Sequence, residues 1–128
     1  NTIADALSDI PLTYSIKANP FLLNDLPDVI AHVEVCSPGE LEICKTLNIP
    51  GSRIIYSGVN KEYKDILEAL NYGVYIATAE SILHVNTLEQ VAKELNKKQK
   101  VILRLTSGKQ FGMSKEDIFS ILKNKEQY

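Results

Sequence analysis

The sequence predicts an α/β protein with parallel strands, specifically part of an eight-stranded (β/α) barrel. Apolar, β-branched runs recur roughly every 20 to 25 residues, and each is followed by a segment with helical spacing rather than by a hairpin turn. Strands joined by helices pair in parallel through right-handed crossovers. Three of the runs also carry one charge each, namely Lys17, Glu34 and Arg104. A barrel mouth would bring those three charges together.

The first unit begins with a short apolar strand at residues 12–16, which carries Lys17 at its carboxyl end. Asn19-Pro20 then stops the strand, because the residue before a proline is biased away from helix. In segment 22–31 the apolar residues fall close to one face of a helix, so we predict the first helix there.

The second unit places Glu34 within an apolar strand that begins near Val33 and follows it with a helix start. Ser37 can cap this helix, and Pro38 fits its first position. Glu40 completes a capping box with Ser37. We predict a helix that ends before Pro50-Gly51.

The remaining strands are predicted to begin near Arg53, Val74 and Lys100. Apolar residues at helical spacing predict helices at residues 61–71, 79–96 and 114–123. The fifth strand, residues 101–105, carries Arg104, and a polar loop at residues 106–113 leads to the last helix.

Two architectures fit these units: an open doubly wound sheet of five strands, and a piece of a (β/α) barrel. A charge within a strand that is buried on both faces is costly unless it is paired. We therefore favour the barrel and expect Lys17, Glu34 and Arg104 to project into a common space. The alternatives are that Lys17 and Glu34 point to solvent and that Arg104 extends its charge to water.

Composition indicates one modest domain spanning residues 1–128, with 45% hydrophobic and 23% charged residues. A net charge of −2 gives no basic field for nucleic acid, and no apolar run approaches the roughly 20 residues of a membrane span. No secretory signal is visible. Cys36 and Cys44 form no CxxC motif, and His32 and His84 have no ligand-spaced partners, so we expect no metal site. These features predict a cytoplasmic protein with reduced thiols.

The lysine suggests a specific chemistry. An amine held among apolar walls beside a carboxylate can act as a nucleophile toward a carbonyl, because desolvation lowers the pKa of the ammonium. Arg104 could hold a phenolate or carboxylate oxygen.

The string Tyr14-Ser15-Ile16-Lys17-Ala18-Asn19-Pro20 resembles Tyr-Ala-Val-Lys-Ala-Asn-Pro, a signature of the fold type III pyridoxal-phosphate (PLP) enzymes that include the ornithine and diaminopimelate decarboxylases. Further segments similar to that family's motifs follow in order at residues 33–42, 53–61, 80–81, 101–105 and 110–113. Pro20 favours the decarboxylase branch over the alanine racemases, which share the fold.

The resemblance implies that Lys17 is the catalytic residue that forms the Schiff base with PLP. It also implies that Glu34, in place of the usual Asp, lies beside the cofactor and that Arg104 faces it. The intact enzyme would then be a PLP-dependent decarboxylase acting on a small-molecule amino acid. A PLP-carrier protein of related barrel fold and an alanine-racemase-like enzyme are the alternatives.

The family's phosphate-binding glycine loop and its stacking histidine have no counterpart in the 128 residues. We therefore expect an incomplete barrel domain, the N-terminal part of the enzyme, that binds PLP weakly if at all and lacks decarboxylase activity. Open strand edges also predict a homo-oligomer.

Overall fold

Five parallel strands form one sheet in the computed structural model of the chain, which describes residues 2–7, 9–17, 19–108 and 110–128. Ala18 of the lysine string and Lys109 of the polar loop lie outside the described residues. The strands are β1 Leu12–Ser15, β2 Ile30–Val35, β3 Ile54–Tyr56, β4 Ile76–Ala79 and β5 Lys100–Leu103. Their order in the sheet is β1-β2-β3-β4-β5, so the predicted sequential parallel arrangement is confirmed.

Helices connect the strands. The α-helices are α1 Thr2–Ala6, α2 Pro38–Thr46, α3 Tyr63–Tyr72, α4 Ile82–Glu94 and α5 Lys115–Lys123. Short 3-10 helices occupy Pro20–Asp25, Gly51–Arg53 and Lys125–Gln127. Helices α2 to α5 lie where the apolar spacing predicts them, although α4 begins three residues later because Ala79 belongs to β4.

The helix predicted at residues 22–31 is wrong. The chain forms the 3-10 helix Pro20–Asp25 instead, and Leu26 is already extended, with φ −62° and ψ 126°. Pro27 explains the break, because a proline excludes the preceding residue from helix and donates no main-chain hydrogen bond. Ile30, whose spacing suggested a helix face, begins β2 and pairs with Leu12.

The two faces of the sheet differ in chemistry. Right-handed crossovers between strands in sequential order place the helices on the same face. On that face the three central strands carry fully buried residues, namely Val33, Val35, Ile54, Tyr56, Ala77 and Ala79. Because side chains alternate along a strand, Glu34 and Thr78 point to the opposite face. That face also carries isoleucines of the neighbouring strands, which are in register with Glu34 and Thr78 and are not fully buried.

The start of α2 departs from the predicted capping box in one bond. Ser37 Oγ accepts a hydrogen bond from the backbone N–H of Glu40 at 3.2 Å, as predicted. The Glu40 carboxylate, however, accepts from the backbone N–H of Cys36 at 2.6 Å rather than from that of Ser37. Glu40 thereby ties the residue after β2 to the first turn of α2.

A buried tyrosine gives a stability prediction. Tyr56 is fully buried, and its hydroxyl has no hydrogen-bond partner in the described part of the chain. Burial, and then the charges of Asp65 and Glu68, raise its pKa. Removing an unsatisfied buried hydroxyl relieves a desolvation cost, so we expect Tyr56→Phe to leave stability unchanged or to raise it by up to about 1 kcal/mol.

Tyr72→Phe is the matched control, because the Tyr72 hydroxyl donates to the carbonyl of Ile49 at 2.8 Å. We expect that variant to lose about 1 kcal/mol. Urea denaturation of both variants measures the difference, and equal losses would contradict the assignment of an unsatisfied hydroxyl to Tyr56.

Candidate functional site

An open cleft of about 480 Å³ lies on the face of the sheet that carries Glu34 and Thr78, at the carboxyl ends of the strands. The three residues predicted from the sequence, Lys17, Glu34 and Arg104, all line it. The other lining residues are Cys36, Ser57, Gly58, Val59, Thr78, Glu80, Ile102 and Phe111. Strand ends of a parallel barrel converge at this edge, which explains why residues distant in sequence meet there. The volume suits a small organic ligand.

Lys17 follows β1 at a tight turn. Its φ of 49° lies in the left-handed region, which is costly for a residue with a side chain, and the turn is closed by a hydrogen bond from Asn19 N to Ile16 O at 2.8 Å. Lys17 is exposed, and its Nζ lies 3.8 Å from Cys36 Sγ. The amine is therefore not desolvated by the described residues, because Lys17 sits beyond the end of the strand on the open face.

Glu34 is half-buried on β2. Ser57 Oγ donates a hydrogen bond to its carboxylate at 2.7 Å. Burial opposes ionisation, but the nearby hydroxyls of Ser15 and Ser57, together with the positive charges of Lys17 and Arg104, outweigh it and lower the pKa of Glu34. The carboxylate is consequently ionised at neutral pH.

Arg104 follows β5 directly, one residue beyond the strand in which it was predicted. Its guanidinium pairs with Glu80 at 3.1 Å and lies 5.5 Å from the centre of the Phe111 ring. A backbone hydrogen bond from Met113 N to Arg104 O at 2.7 Å closes the loop that carries Phe111. Arg104 acts on Glu34 only at longer range, because its direct ionic partner is Glu80.

A buried polar network behind Arg104 was missed from the sequence. Lys61 is only 7% exposed, and its Nζ donates to the carbonyl of Thr78 and to the Thr78 hydroxyl at 3.1 Å. Burial lowers the pKa of Lys61 to about 8, although the charge of Glu80 opposes the shift. A sequence signal existed for Glu80, which follows β4 directly at the strand end. None existed for burial of Lys61.

The two histidines lie in different environments. His84 is buried, and its Nδ1 accepts a hydrogen bond from the backbone N–H of Glu80 at 3.3 Å. Burial, and then the charge of Lys61, lower the pKa of His84 despite Glu80. His32 stacks on Tyr75 with ring centres 4.9 Å apart.

Within the described ranges, no group of three or more His, Cys, Asp or Glu residues could hold a metal ion. Among the helices that the structure describes, none has the length and apolar character to cross a membrane.

Residues 1–123 match a family model described as the pyridoxal binding domain of pyridoxal-dependent decarboxylases. The chain belongs to this family. This match confirms the fold type III decarboxylase resemblance, and the solved structure compared below confirms the barrel-type α/β fold predicted from the sequence.

Similar proteins agree with the family. A diaminopimelate decarboxylase of Pseudomonas aeruginosa is 36% identical over 106 residues, which cover 80% of this chain and 26% of that protein. A diaminopimelate decarboxylase of Aquifex aeolicus is 32% identical over 102 residues, covering 78% and 24% respectively.

The crystal structure of a lysine/ornithine decarboxylase from Vibrio vulnificus, complexed with putrescine, matches 98% of this chain and 34% of that one. Its TM-score is 0.81 at 22% identity, which supports the fold alone. The chain spans about a quarter of the length of the two curated relatives.

Proposed function

We propose that this chain supplies the cofactor-bearing lysine of a PLP-dependent amino-acid decarboxylase. The observation that carries the proposal is the convergence of the Lys17 amine, the Glu34 carboxylate and the Arg104 guanidinium on one cleft at the strand ends. When bound, PLP supplies an electron sink for the pair of electrons released as carbon dioxide departs.

The residues of the cleft fit this cofactor. The exposed amine of Lys17 is the nucleophile that an aldehyde requires, and Lys17 Nζ would hold the cofactor covalently. Glu34 stays ionised and would accept a hydrogen bond or a proton beside it. Arg104 has its guanidinium half-exposed in the cleft, where it would donate to an anionic oxygen.

We further propose that the substrate of the whole protein is a small-molecule amino acid. We also propose that the protein acts in the cytoplasm. Diaminopimelate is the first amino acid to test, because both curated relatives that are compared above are named diaminopimelate decarboxylases. The free thiols of Cys36 and Cys44 support a reducing compartment.

Chemical trapping tests the role of Lys17. The chain is incubated with PLP, reduced with borohydride, digested and mapped by mass spectrometry. We expect Lys17 to be modified at lower PLP concentration than Lys64, whose exposed side chain on α3 serves as an internal control for nonspecific reaction. Lys17→Arg should abolish that preference while preserving the charge. The proposal fails if Lys17 is labelled no more readily than Lys64.

Association of two copies is a further expectation for this chain. In the described sheet, β1 pairs only with β2 and β5 only with β4, and Ile102 on β5 is 47% exposed. Exposed strand edges of this kind pair with other chains. Light scattering should therefore show dimers or larger species that Ile102→Lys weakens. A mass that stays monomeric as concentration rises would contradict this expectation.

A further inference from the structure

A chain of polar contacts runs from the buried ammonium of Lys61 to the guanidinium of Arg104 in the cleft. Lys61 Nζ donates to Thr78 Oγ1 at 3.1 Å, and Thr78 Oγ1 donates to Glu80 Oε1 at 3.3 Å. Arg104 Nη1 then donates to the other carboxylate oxygen, Glu80 Oε2, at 3.1 Å. This series of hydrogen bonds thus links the loop after β3, strand β4 and the end of β5.

Donor and acceptor chemistry makes the hydrogen bonds of this series converge on the Glu80 carboxylate. An ammonium can only donate, so the Thr78 hydroxyl must accept from Lys61. Its own hydrogen is then available for Glu80 Oε1. That bond fixes the plane of the carboxylate and leaves Oε2 free to accept from Arg104. Each member therefore restricts the orientation of the next.

The two ends of this hydrogen-bonded series differ in burial. Lys61 and Glu80 are 7% and 8% exposed, so packing fixes both of them. Lys61 also lies 5.7 Å from the centre of the Tyr56 ring, and the backbone N–H of Glu80 donates to His84. Arg104, in contrast, has a half-exposed side chain with several rotatable bonds. The buried members are placed to orient the exposed one.

We propose that Lys61 is a positioning residue which, through Thr78 and Glu80, holds the Arg104 guanidinium in the cleft toward an anionic oxygen of the ligand. This inference rests on the proposed function for the identity of that ligand, PLP. It assigns Lys61 no contact with the ligand. It makes the affinity of the cleft for an anion depend on a lysine buried outside the cleft.

Two variants interrupt this series of hydrogen bonds at different points. Lys61→Met removes the ammonium, whereas Thr78→Val removes only the hydroxyl and keeps the main-chain carbonyl that Lys61 also contacts. Thr78→Ser restores a hydroxyl at the same position. Lys64→Met removes an exposed lysine three residues along and is the matched control for loss of charge.

The first readout is the NMR spectrum of the Arg104 guanidinium in the unliganded chain. Resolved Nη signals, which report slowed rotation of the guanidinium, are expected in the unsubstituted chain and in the Thr78→Ser and Lys64→Met variants. They should merge in Lys61→Met and Thr78→Val. The second readout is PLP affinity, which should fall roughly tenfold in those two variants while the modification remains at Lys17.

Unchanged Arg104 signals in folded Thr78→Val would overturn the inference, and this variant decides the matter even if Lys61→Met does not fold. Weaker PLP binding without any change at Arg104 would also contradict it, since Lys61 would then act by another route. Failure of the original chain to react at Lys17 would instead refute the proposed function. The NMR comparison needs no cofactor and still decides the role of Lys61.

Discussion

Gly58→Ala is expected to destabilise the chain by about 3 to 5 kcal/mol, enough to unfold a marginally stable domain. Gly58 has a φ of 96°, and a β-carbon there would lie 2.2 Å from the carbonyl oxygen of Cys36. The obstacle is backbone, which cannot rotate away as a flexible side chain would. Relief requires separating the ends of β2 and β3, where Glu34 and Ser57 meet in the cleft.

Gly73→Ala is the matched control for this effect. Gly73 also has a left-handed backbone, with φ 82°, but a β-carbon there would meet nothing within 4 Å. We expect a loss of only about 1 kcal/mol, from backbone strain alone. Urea denaturation followed by circular dichroism compares the two variants. Similar denaturation midpoints for the two variants would show that position 58 does not require glycine because of its close approach to the Cys36 backbone.

Stability is expected to rise between pH 8 and pH 10.5 through Lys61, in the range where many proteins weaken. The pKa of Lys61 is about 8 in the folded chain, against an ordinary value of 10.5. Between these values the unfolded chain binds the proton more often than the folded one, so the free energy of unfolding increases with pH. The full contribution is about 3 kcal/mol, and it is lost as the pH falls through 8.

Comparison with Lys61→Met isolates this contribution. Burial raises the pKa of Cys44 to about 11 and that of Tyr56 also, and each lowers stability at alkaline pH in both proteins alike. We therefore expect the stability of the original chain relative to Lys61→Met to increase by about 3 kcal/mol from pH 7.5 to pH 10.5. Urea denaturation at a series of pH values measures it. A constant difference would show that Lys61 keeps an ordinary pKa.

Local rules account for the parts of the fold that were predicted. Ser37 and Ser114 each accept a hydrogen bond from the backbone three residues later, as capping residues do. The alternation of strands and helices predicted parallel strands, and the charges at three strand ends favoured the barrel, whose strands follow in sequential order. The helix prediction for residues 22–31 failed because it gave more weight to the apolar spacing than to Pro27. The proline excludes Leu26 from helix.

The sequence by itself determined the family, the order of the strands and the presence of Lys17, Glu34 and Arg104 at strand ends, because these depend on spacing and on motifs within short segments. Tertiary structure alone decided how the charges are paired. Arg104 contacts Glu80 rather than Glu34, and the amine expected to be desolvated is exposed while Lys61 is buried. Pairing and burial depend on which loops and strands meet across the sheet, and residue spacing along one strand does not contain that information.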